Sequence, residues 1–178
     1  DSREIARDPS GGFTKCAFFG RYHPTKGIHL LIKALRQAPH LKIRLDIYGA
    51  PYDDRAIDYE NRMNDLAKND ARISFKSLIP SDEVPGVLRQ YDYLLVPSEM
   101  LETGPLIVLE AFSVGVPPIC PRNRGSFSEL ISDGINGLLI EPNSVEAWVR
   151  VLGKVANDPT LASRLRAGIR QPRTMDTV

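Results

Sequence analysis

The chain has 178 residues, 42% hydrophobic and 25% charged, a size and composition that suit one soluble domain with a sizeable core. A net charge of +1 excludes bulk attraction to nucleic acid or to an anionic membrane, so any phosphate binding must come from a few placed side chains. No apolar run is long enough to be a transmembrane segment, and the polar opening DSREIARDPSGG carries no signal-peptide pattern.

In chain order the pattern alternates. KCAFFG (15–20) predicts a strand, and Ile28, Leu31, Ile32 and Leu35 follow at helical spacing. RLDIYG (44–49) predicts a second strand, and Ala56, Tyr59, Met63 and Leu66 a second helix that stops near Asn69 and Asp70. RISFKS (72–77) is strand-like, and Ser81 suits the N-cap of the next helix, with Asp82 and Glu83 in its first turn. YDYLLVPS (91–98) predicts a fourth strand, with a helix after Pro105 and a short buried strand at VPPICP (116–121). Ser126 and Glu129 have capping-box spacing, GLLI (137–140) is a last strand, and Val145, Trp148, Val149, Leu152 and Val155 line a closing helix.

Six short apolar strands separated by helices predict a Rossmann-like α/β fold: a doubly wound parallel sheet of about six strands with helices on both faces. The expected domain spans 13–165, with a polar linker at 1–12 and a polar C-terminal tail at 166–178. Cys16 and Cys120 lie in strand-like surroundings without CxxC spacing, so both are expected to be buried free thiols in a reducing cytoplasm.

Sheets of this kind bind ligands beyond the carboxyl ends of their strands. The first such loop, FFGRYHPTKG, carries Arg21 and Lys26, a planar fork and a point charge suited to a diphosphate at a helix start. A pair of solvated surface cations is the competing reading. The loop after the fourth strand leads into ETGPLIVLEA, where Glu102 precedes a helix and Glu110 lies one and a half turns inside it. Pro105 suits the first helical position, leaving the N–H groups of Leu106 and Ile107 toward the cleft. Glu110 interrupts an otherwise apolar run, which fits either a carboxylate for ribose hydroxyls or a structural salt bridge. Glu102 alone fits an exposed loop acid equally well. Of the histidines, His29 and His40 read as surface residues, and His23 lies in the cation loop without a visible partner. No GxGxxG, Walker motif or D-x-D pair occurs.

In order, GRYHPTKG, LDIYG, ISFKSLIP, YDYLLVPS, the E-x7-E signature in ETGPLIVLE, GVPPIC, RGSFSELI and DGINGLLI resemble the C-terminal, donor-binding domain of the retaining glycosyltransferases of family 4, also called glycosyl transferases group 1, with the GT-B fold. The resemblance covers about Phe18 to Leu165. It implies a hexosyltransferase-type enzyme that takes a nucleoside-diphosphate sugar (UDP, GDP or ADP) without a metal or other cofactor. It assigns Arg21 and Lys26 to the diphosphate, Glu102 to the transferred sugar and Glu110 to the ribose. It places the base at Leu78 and Ile79, and the sugar and distal phosphate at Gly104, Leu106 and Ile107. The acceptor, a sugar, lipid or other group, would come through an absent N-terminal domain, so this chain alone is expected to be inactive. Nucleic acid is not an expected partner. A cytoplasmic location follows, with peripheral attachment to the membrane face open to a full-length protein; the alternative is a non-catalytic nucleotide-sugar-binding module. Two departures stand out: Thr103-Gly104-Pro105 replaces the family's Gly-Phe-Gly, removing one backbone N–H at Pro105, and Arg124 replaces a glycine and is expected to face solvent.

Overall fold

The computed structural model describes residues 12–102 and 105–169. Six strands form one parallel sheet: β1 (Thr14–Phe19), β2 (Ile43–Tyr48), β3 (Ile73–Lys76), β4 (Tyr93–Leu95), β5 (Pro118–Pro121) and β6 (Leu138–Ile140), in the order β3-β2-β1-β4-β5-β6. Every neighbouring pair runs parallel. The central strands β4 and β5 are buried throughout, as in a parallel sheet covered by helices on both faces, whereas edge strand β3 is only partly buried. In β4, Pro97 supplies no N–H to extend the ladder beyond the Val96 bond to the Ile119 carbonyl, which shortens the strand predicted over 91–98.

Side chains alternate between two cores, as the twofold strand period requires. Phe18, Tyr93, Leu95, Ile119, Leu138 and Ile140 pack with helices α1 (Ile28–Gln37), α2 (Asp54–Ala67), α6 (Val145–Asn157) and α7 (Leu161–Gly168). Phe19, Leu94, Cys120 and Leu139 face the other way, onto α3 (Val84–Leu88), α4 (Leu106–Ser113) and α5 (Phe127–Leu130). Trp148 is the largest fully buried side chain. Both cysteines are free and buried, and burial pushes both thiols well above the ordinary cysteine range.

Arg72 closes the far end of α1. Its guanidinium donates to the carbonyls of Leu35 (2.6 Å), Ala38 (2.9 Å) and Leu41 (3.2 Å) and is fixed by Asp70 at 2.6 Å.

Some local expectations change. The N-cap of α3 is Glu83, while Ser81 sits in the preceding turn; Pro85 near the helix start sets that later entry. Ser126 does occupy the N-cap of α5, but its φ of −68° is helical and its hydroxyl makes no cap bond. The sequence read as a tail from 166 begins inside α7, because buried Leu161, Ala162 and Leu165 anchor that helix through Gly168. Nearly all of the expected linker and the segment 170–178 lie outside the described residues.

Strands β1 and β4 are neighbours, yet α1 and α4 leave them toward opposite faces. A point where neighbouring strands send their helices to opposite faces is where open α/β sheets bind ligands, beyond the carboxyl ends of the strands.

Candidate functional site

The loop after β1 ends in a single 3-10 turn, Pro24–Lys26, capped at its start by His23, whose Nδ1 accepts the Thr25 N–H at 3.2 Å. Lys26 closes that turn. Gly27 then serves as the N-cap of α1, so Lys26 stands just before the helix rather than within it. Gly27 has φ of +72°, and a Cβ there would run into the Pro97 carbonyl. The first loop thus packs directly on the loop after β4, and the Glu99 N–H donates to the Thr25 carbonyl at 2.7 Å.

That contact sets up the central pair. Lys26 Nζ lies 2.7 Å from Glu102 Oε1, with side chains only 21% and 18% exposed. The Ser98 hydroxyl donates to the same oxygen at 2.7 Å, and Ser98 is almost wholly buried. Two donors on one carboxylate oxygen hold Glu102 in a single orientation. Its backbone is held as well: the Ser126 N–H donates to the Glu102 carbonyl at 2.8 Å, through a bridge between Glu102 and Gly125. Gly125 has φ of +69°, and a Cβ on it would overlap the Glu102 carbonyl.

The remaining expected residues distribute as follows. Arg21 is exposed on the first loop, its guanidinium 5.3 Å over the Tyr52 ring, and it pairs with no acid among the described residues. Glu110 is half-buried on α4; among the described residues its carboxylate has no hydrogen-bond or ion-pair partner, and burial raises its pKa. The salt bridge considered for Glu110 is thus absent from the described residues. Pro105 is the N-cap of α4 rather than its first residue, so Leu106 and Ile107 carry N–H groups without an intrahelical acceptor. Leu78 is 69% exposed after β3, and partly buried Ile79 packs against the second core. Gly104 lies outside the described residues.

The sequence did not single out Ser98, Tyr52 or the tie between His29 and Glu99, described below. Ser98 carried one signal: a polar residue closing an apolar strand. Two residues expected at the surface are drawn in. Arg124 is partly buried, its Nε without a hydrogen-bond partner among the described residues, and His29 is half-buried between two elements.

Residues 6–171 match the family described as glycosyl transferases group 1. The chain belongs to that family. It is 32% identical over 157 residues to a D-inositol 3-phosphate glycosyltransferase of Corynebacterium glutamicum, covering 85% of this chain and 37% of the relative. A lipopolysaccharide 1,2-N-acetylglucosaminetransferase of Salmonella typhimurium is 28% identical, covering 82% of this chain and 40% of that protein. The chain thus spans about two fifths of the length of these curated relatives. Among solved structures, Anabaena Alr3699/HepE in complex with UDP and glucose superposes with a TM-score of 0.79 at 21% identity, over 89% of this chain and 42% of that one. The C-terminal domain of a glycosyl transferase group 1 family protein (LpcC) from Francisella tularensis superposes with a TM-score of 0.74 at 26% identity, over 87% of this chain and 81% of that one. The fold is the Rossmann-like α/β unit of GT-B glycosyltransferases. No helix among the described residues is long and apolar enough to cross a membrane.

Proposed function

We propose that this chain is the nucleotide-sugar-binding half of a retaining, metal-independent glycosyltransferase of the hexosyltransferase type, acting in the crevice between β1 and β4. The observation that carries the proposal is the pair of Lys26 and Glu102, a cation and an acid from two different strand-end loops meeting at 2.7 Å in a half-buried setting. The ammonium uses one of its three donors on Glu102 and keeps two for the oxygens of a diphosphate. Arg21, exposed on the same loop, swings from the Tyr52 ring to fork the second phosphate. As the sugar–phosphate bond breaks, negative charge gathers on the leaving diphosphate, and these cations stabilise it in place.

Glu102, oriented by Ser98, faces the transferred sugar, and the N–H groups at the start of α4 take sugar or distal phosphate oxygens. Gly104, just before this helix in the sequence, is assigned to the same sugar and distal phosphate. Glu110 accepts the two ribose hydroxyls; a carboxylate left without a partner gains most from such donors. Leu78 and Ile79, at the open end of β3, receive the base through exposed backbone and an apolar edge. That Alr3699/HepE holds UDP on the same fold supports a uridine nucleotide as the first donor to try.

The decisive experiment is calorimetric titration of the chain with UDP, GDP and ADP and the corresponding glucose conjugates. Binding of one nucleotide, lost in K26A and E110A, is expected. No binding by any of them would overturn the reading. Sugar transfer is expected only after an acceptor-binding half is restored; if a restored two-domain protein binds donor yet never transfers, the chain is a binding module instead.

A further inference from the structure

The tie between His29 and Glu99 is a set of contacts that the expected donor site does not use. His29 is the second residue of α1. Its Nε2 lies 2.9 Å from Glu99 Oε1, and its Nδ1 lies 2.9 Å from the Tyr59 hydroxyl on α2. The rings of His29 and Tyr59 meet edge to face, 6.1 Å between centroids. Tyr59 is buried, and its oxygen also accepts the backbone N–H of His29 at 3.2 Å.

Proton accounting fixes the tautomer. A Tyr59 oxygen already accepting one N–H has its own proton free for Nδ1, so the neutral ring carries its hydrogen on Nε2 and donates it to Glu99. Glu99 is then held at both ends, by its side chain on His29 and by its own N–H on the Thr25 carbonyl at 2.7 Å. Thr25 belongs to the turn that ends in Lys26, and Glu102 lies three residues beyond Glu99. Helices α1 and α2 are thereby joined to the two loops that bring Lys26 and Glu102 together.

We infer that neutral His29 is a positioning residue: it seats the loop carrying Glu99 and Glu102 against the Lys26 turn, and Tyr59 sets the tautomer in which it does so. The inference rests on the donor-site reading for its link to sugar binding, but not for its effect on the loop. Four groups face the ring: Glu99 from the acid loop, Tyr59 and Arg62 from α2, and Lys33 from α1. Burial, which lowers the imidazole pKa most, together with Lys33 and Arg62, outweighs Glu99 and favours the neutral form. Protonation would turn the bond to Glu99 into an ion pair but put a second N–H on the Tyr59 oxygen and leave the hydroxyl proton without its acceptor, so it removes the tautomer that Tyr59 sets.

The test uses H29Q, whose amide can donate to Glu99 but does not titrate, and H29L, which can do neither. Amide hydrogen exchange at Glu99 is followed by NMR from about pH 8 to about pH 5, with Leu31 and Leu35 in α1 as folding controls. In H29L, Glu99 exchange faster by about tenfold is expected, with the α1 core amides unchanged. H29Q should stay close to the parent at high pH, because its amide restores the bond to Glu99. Equal Glu99 protection in H29L and parent, or failure of H29Q to rescue, would overturn the inference. UDP-glucose titration of the same samples separates the two readings. Weaker binding in H29L alone supports the link to the donor site, whereas a parent that binds no nucleotide sugar overturns the donor reading and leaves the exchange result to decide the role of His29.

Discussion

Lys26 and Glu102 stand 76 positions apart in the chain and 2.7 Å apart in the fold, with Ser98 donating to the same carboxylate oxygen. A partly buried ion pair of this kind adds little net stability, because desolvation offsets most of its attraction. Removing one partner is another matter, since it leaves the other charge half-buried and uncompensated. K26M is therefore expected to lose about 1–2 kcal/mol of unfolding free energy, and E102Q less, because an amide still accepts from Ser98 and Lys26. Nucleoside-diphosphate affinity should fall by about tenfold or more in K26M. Chemical denaturation and calorimetry on both variants check this; a K26M chain binding UDP as tightly as the parent would remove Lys26 from the site.

Glu110 yields a prediction with opposite signs for stability and binding. Burial raises its pKa, so the folded chain holds that proton more tightly than the unfolded one. Stability from this group is then greatest at low pH and declines as pH rises from the ordinary glutamate value through the folded value. E110Q removes that decline. Its melting temperature should match the parent near about pH 4 and exceed it at about pH 7, while ribonucleotide affinity drops. An identical melting difference at both pH values would contradict the assignment.

Gly125 is a test of the backbone beneath Glu102. Its left-handed φ and the Glu102 carbonyl that a Cβ would strike make alanine costly there. G125A should destabilise the chain by about 2 kcal/mol or more and shift the amide resonances of Glu102 and Ser126. Unchanged resonances would mean that the bridge between the two loops is dispensable.

W148A addresses the core shared by α1, α6 and the sheet. Trp148 is 1% exposed, and its loss should cost about 3–5 kcal/mol, measured by urea denaturation. Nucleotide affinity of the fraction still folded is expected to stay near the parent value, because Trp148 is part of the first core, away from the Lys26–Glu102 pair.

Sequence periodicity was enough to place all six strands, and their alternation with helices assigned the sheet type, since a helical crossover between successive strands makes them parallel. The two loops that carry Lys26 and Glu102 were equally plain, because strand ends in such a sheet share one edge. Contacts between distant residues were not. Nothing local marks Ser98 as the second donor to Glu102, and His29 reads as a surface residue until Tyr59 and Glu99 arrive from 30 and 70 residues away. Helix α7 escaped because Leu161, Ala162 and Leu165 make too thin a stripe to stand out among SRLRAG. Ser126 shows that a suitable residue at a helix start forms a cap only if its own backbone is extended, which that of Ser126 is not.

Cys16 and Cys120 are sealed in the sheet and their thiols are pushed far from thiolate formation. A maleimide dye at neutral pH would therefore pass over both. One engineered cysteine at solvent-facing Leu101, beside Glu102, gives the folded chain a single fluorescent reporter at the mouth of the crevice, with no need to strip out the native sulfurs first.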